Sequence, residues 1–131
     1  MNGDSVMNLV NYSNGQSRVV SHGLSKAFET TIPITELTEK KYIFCQHGSN
    51  GRVFLVPKLN GVPVAATGGV VVTARLGGVD EAIPSGEVDL AQCFPAAYEK
   101  PRWGGLASHI GVIASGEITG ADEITFIVER Y

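Results

Sequence analysis

The sequence predicts an all-β, single-domain antiparallel β-sandwich of jelly-roll type, or a small barrel, of about eight short strands. Three observations predict it. Asn-Gly pairs recur at Asn14-Gly15, Asn50-Gly51 and Asn60-Gly61, and both residues of such a pair tolerate the positive φ of tight hairpin turns. The segments between them alternate apolar and polar residues with period two. No segment combines a helical period with a capping box.

Taken in order, "NLVNY" and "SRVVS" bracket the first Asn-Gly pair and read as a hairpin. "KAFETTIPI" follows, with Phe28, Thr30, Ile32 and Ile34 on one face. "TELTEKK", residues 35–41, is one of two short helical candidates. "YIFCQ" and "RVFLV" bracket the second pair, with residues 47–51 as the loop of a second hairpin. At Asn60-Gly61 a two-residue turn sets Leu59 opposite Val62 and Lys58 opposite Pro63. Pro63 then takes a non-hydrogen-bonded site, and Pro57 cannot donate at the next site, so this is a short edge ribbon guarded by prolines.

"GVVVTARL" places Val70, Val72, Ala74 and Leu76 on one face and Val71, Thr73 and Arg75 on the other, ending at Gly77-Gly78. Residues 81–106, with Pro84, Pro95 and Pro101, read as one long irregular segment; "EVDLAQCF" inside it holds a helical turn or two. "SHIGVIAS" and "EITFIVER" read as a last strand pair, with residues 115–122 as its turn. Ile110, Val112 and Ala114 share one face, and Ile124, Phe126 and Val128 another.

Composition narrows the function. The 131 residues are 44% hydrophobic and 18% charged, enough to build one core over residues 1–131. Net charge is −3 with Lys and Arg scattered singly, which argues against a nucleic-acid partner. The longest uncharged stretch, between Lys58 and Arg75, is too short for a membrane helix and is interrupted by glycines and a proline. The first residues lack the basic and apolar segments of a signal peptide, so synthesis in the cytoplasm without secretion is expected. Cys45 and Cys93 are then expected as buried thiols.

Catalytic and metal chemistry find little support. Ser108 and His109 sit side by side, but adjacent strand residues point to opposite faces, and no Gly-x-Ser-x-Gly elbow surrounds the serine. His109 is expected to face outward. Cys45 and His47 would need two further ligands from elsewhere to hold zinc. Asp80, Glu81, Glu87 and Asp89 lack the ordered spacing of a calcium loop and read as an acidic rim. The glycine-rich "HGSNG" and "TGGVV" carry no phosphate-loop lysine. No catalytic residue, metal ligand or cofactor is therefore assigned. The residue types that anchor interfaces are Tyr98, Arg102 and Trp103, grouped on the proline-bearing segment.

The stretch "WGGLASHIGVIASGEITGADEITFIVER", Trp103 to Arg130, resembles the closing hairpin of many small β-sandwich proteins of tailed bacteriophages. There an aromatic residue precedes a strand, a glycine-containing turn follows, and Ile-Thr-x-x-Val leads into the final strand. The resemblance covers about a fifth of the chain. It implies a non-enzymatic virion protein: a capsid decoration (cement) protein, or a small head or tail accessory protein. Its partners would be further copies of itself and capsid or tail proteins. The alternative is a carbohydrate-binding or receptor-binding module, with Tyr98 and Trp103 stacking on a glycan.

Overall fold

A computed structural model describes residues 9–10, 17–22, 25–44, 50–95, 102–104, 107 and 109–130. Eleven strands run through them: β1 (Leu9–Val10), β2 (Ser17–His22), β3 (Ser25–Pro33), β4 (Lys41–Phe44), β5 (Asn50–Leu59) and β6 (Val62–Pro63), then β7 (Gly69–Leu76), β8 (Val79–Asp89), β9 (Arg102–Gly104), β10 (His109–Ala114) and β11 (Glu123–Arg130). They form two open sheets. Sheet A has the order β1-β4-β10-β7-β8; sheet B has the order β2-β3-β11-β5-β6, with β9 also on β5. Neither closes on itself, so the sandwich of the two predicted architectures is the one adopted. All pairs are antiparallel except β1 with β4.

Alternation builds the core. Ile43, Val70, Val72, Ala74, Ile110 and Val112 point inward from sheet A, and Ile32, Val53, Leu55, Ile124, Phe126 and Val128 from sheet B. All are buried in one continuous cluster. Both helical candidates are single 3-10 turns, Ile34–Thr38 and Leu90–Cys93. They close the sandwich with buried Leu37, Leu90 and Cys93. The second is capped by Asp89, whose carboxylate accepts from the Ala91 N–H at 3.0 Å.

The proline-guarded ribbon forms in the predicted register, with Leu59 opposite Val62 and Lys58 opposite Pro63. Asn60 and Gly61 both take positive φ, 53° and 80°. The Val64 N–H donates to the Pro57 carbonyl at 3.0 Å, and Pro57 returns no bond. Gly77 and Gly78, with φ of 61° and 83°, make the matching turn between β7 and β8.

Several pairings differ from the sequence reading. Among the described residues the strands of the first hairpin part company: β1 pairs β4 in sheet A, while β2 pairs β3 in sheet B. Asn14-Gly15 lies outside the described residues. The described strands of the second, β4 and β5, also belong to different sheets, A and B. The last two strands likewise lie in different sheets, so residues 115–122 form an arch across the sandwich rather than a hairpin turn. Alternation causes all three errors, since two one-sided strands satisfy it either side by side or face to face.

The described part of the segment read as irregular carries regular structure: the end of β8, the 3-10 turn Leu90–Cys93 and β9. β8 runs to Asp89 by bulging: Val71 stands opposite Glu87 and Thr73 opposite Ala82, so Val72 alone faces residues 83–86. The bulge absorbs Pro84. Gly86 makes it possible, because a Cβ there would lie 2.6 Å from the Val72 carbonyl oxygen.

Candidate functional site: the outer face of sheet A

Register places two rows of side chains across the outer face of sheet A. Phe44 (β4), His109 (β10), Arg75 (β7) and Asp80 (β8) form one. Tyr42, Gly111, Thr73 and Ala82 form the next. Their neighbours Ile43, Ile110 and Ala74 are core residues, which fixes these rows on the solvent side.

Asp80 organises the face. Its Oδ2 accepts from Lys40 Nζ at 2.9 Å and from the Tyr42 hydroxyl at 2.5 Å; its Oδ1 accepts from Arg75 Nη1 at 2.7 Å. The Arg75 guanidinium also lies over the Tyr42 ring, 5.3 Å from its centroid. An isolated surface ion pair is worth about 0–1 kcal/mol. Here three charge-assisted bonds converge on a carboxylate whose side chain is only 19% exposed, so each bond gains from the reduced solvent screening. Tyr42, although on the outer face, is 7% exposed.

The electrostatics follow from this packing. Burial works to raise the Asp80 pKa, but the bonds from Tyr42, Lys40 and Arg75, with the charge of Lys40, outweigh it and hold the carboxyl below its ordinary value. Burial raises the Tyr42 pKa, and its bond to Asp80 and the charge of Asp80 add to that. Burial lowers the pKa of His109, helped by the charge of Arg75. Phe44 meets His109 edge to face, with centroids 5.6 Å apart, and is itself 51% exposed.

Gly111 is the floor of the site. A Cβ on it would lie 2.8 Å from Thr73 Oγ1, 3.1 Å from Lys40 Cδ and 3.3 Å from Tyr42 Cε1. The lysine and tyrosine therefore lie flat on β10 on their way to Asp80. Beneath them Thr73 Oγ1 is buried with no hydrogen-bond partner.

Arg102 and Trp103 lie on β9 at the edge of β5, opposite Arg52 and Gly51; Tyr98 lies outside the described residues. His109 is on the outer face as expected, half-buried rather than exposed. Ser108, Cys45 and His47 lie outside the described residues. Cys93 is a buried thiol whose Sγ is 3.8 Å from the Asp89 carbonyl oxygen.

Of the acidic rim, Asp80 alone enters the site; Glu81, Glu87 and Asp89 are exposed along β8. Among the described residues, no three His, Cys, Asp or Glu side chains converge to hold a metal ion. The partners of Asp80 went unread in the sequence. Arg75 was legible there: two residues outward from the Gly77-Gly78 turn, Arg75 and Asp80 must face each other.

The chain matches no protein-family model, no curated protein and no solved structure.

Proposed function

We propose that this chain is a non-enzymatic structural protein that works by surface complementarity, and that the outer face of sheet A is a docking face. The observation that carries this reading is an exposed aromatic ring on a pre-organised floor. Phe44 stands next to a set of polar side chains already tied to one another through Asp80. Such an arrangement loses little side-chain freedom on binding, and aromatic anchors dominate interface energetics.

The surface it docks on is that of a virion, and the chain acts there as a capsid decoration protein or a small head or tail accessory protein. This assignment draws on the resemblance of Trp103–Arg130 to phage sandwich proteins and on the two-sheet fold that such proteins share. Self-association through a second contact, using Arg102 and Trp103 of β9 together with Tyr98, completes the proposal.

Light scattering on the protein alone and mixed with candidate capsid or tail particles tests it. Oligomers of the 13.9 kDa chain, or its co-migration with particles, are expected. Phe44→Ala is expected to weaken particle binding about tenfold or more. A strict monomer that binds no particle overturns the proposal. A monomer whose glycan-array binding is lost on Trp103→Ala replaces it with the carbohydrate-binding alternative.

A further inference from the structure

The geometry points to Asn60-Gly61 as a site of self-modification: Asn60 deamidates in the folded protein, while the same dipeptide at Asn50-Gly51 is protected. The reaction uses only groups of the chain and water. The Gly61 backbone nitrogen loses its proton to solvent base and attacks Cγ of the Asn60 side chain. The Cγ–Nδ2 bond breaks and ammonia leaves, closing a succinimide ring. Water then opens either ring carbonyl, giving aspartate or isoaspartate at position 60. Water enters, ammonia departs, and nothing is oxidised or reduced.

Such an attack requires a backbone N–H open to base and room around it. Asn60 and Gly61 are both exposed, and a Cβ built on Gly61 meets nothing within 4 Å. Gly61 holds the third position of a turn closed by Leu59 and Val62, so the cross-strand bonds bypass its N–H. The Asn60 N–H donates to Asp122 Oδ2 at 3.3 Å, but that nitrogen is not the nucleophile. Gly51 is placed in the opposite way. It is a buried residue of β5, with Arg130 of β11 opposite on one side and Trp103 of β9 on the other. Whichever neighbour its N–H faces, a ladder bond withholds it from base.

The product alters the ribbon. It carries a new carboxylate only a few bonds from the nitrogen held by Asp122. Asp122 also ties the ribbon down: its N–H donates to the Lys58 carbonyl at 2.9 Å, and its carbonyl accepts from the Ile34 N–H at 3.0 Å. Like charges repel across that junction, and isoaspartate adds a methylene to the backbone of a two-residue turn. Deamidation therefore loosens the β5–β6 ribbon that guards one edge of sheet B. None of this depends on the docking function proposed above.

Incubation of the native protein at mildly alkaline pH, followed by peptide mass spectrometry, tests the site. Asn60 is expected to exchange its NH2 for OH about tenfold or more faster than Asn50, whose ladder must open before attack. In the chain unfolded in guanidinium chloride the two are expected to react at similar rates. Asn50 keeping pace with Asn60 in the native protein overturns the inference. So does a native Asn60 that persists after the unfolded chain has converted.

Two variants test the effect on the ribbon. Asn60→Gly cannot react and keeps the positive φ, so its urea midpoint is expected to match the wild type. Asn60→Asp installs the charge directly, and its midpoint is expected to fall at low salt and to recover at high salt. Equal midpoints for the two variants at both salts overturn the coupling to Asp122.

Discussion

At the scale of single residues, Asp80 and His109 respond to acid in separate windows. A group whose folded pKa is depressed contributes stability above its unfolded pKa and loses it as pH falls toward the folded value. His109, lowered from 6.5, therefore begins to cost stability first, as pH drops below that point. Asp80, lowered from 3.8, costs stability only further into acid. Urea unfolding followed against pH is expected to show two declines. His109→Gln should remove the first and Asp80→Asn the second. Steric limits are equally local. Gly86→Ala puts a methyl against the Val72 carbonyl, a backbone atom that cannot yield cheaply. A loss of about 1–3 kcal/mol is expected by chemical denaturation.

At the scale of elements, turn chemistry predicts hairpins only where the residues outside the turn can pair at once. Asn60-Gly61 did so, because Leu59 and Val62 follow directly on either side. Asn50-Gly51 did not. Asn50 and Gly51 are themselves strand residues of β5, opposite Gly104 and Trp103 of β9. The bulge in β8 was hidden for a different reason, since Pro84 reads as a strand breaker unless the partner strand leaves it room. The candidate site shows the same division. The Arg75–Asp80 pair follows from counting outward from one turn. The reach of Lys40 and Tyr42 depends on which strands separate β4 from β8, and local pattern does not contain that. Pro63 supplies an element-scale test. It removes a donor at the edge of sheet B, so Pro63→Thr is expected to change stability by less than about 0.5 kcal/mol. The same change should raise aggregation on prolonged incubation, measured by light scattering.

At the scale of the molecule, the inward faces were legible and the strand order was not. Phe28, Thr30 and Ile32 share their face as read and stand opposite Val128, Phe126 and Ile124 of β11, whereas Ile34, read on the same face, begins the 3-10 turn. What alternation omits is the partner, and here partners are distant: the hydroxyls of Thr31 and Thr125 meet at 2.8 Å from 94 residues apart. A core assembled this way has no local fallback. Phe126→Ala, at a site with no exposure, is expected to cost about 3–5 kcal/mol in denaturant unfolding. Refolding by stopped flow is expected on the millisecond-to-second scale of non-local β topologies. The position of β11 also sets an order of events. It is made after β3 and β5 yet lies between them, and they do not pair with each other. On a ribosome, the two halves of sheet B must therefore wait, unjoined, until residues 123–130 have cleared the exit tunnel.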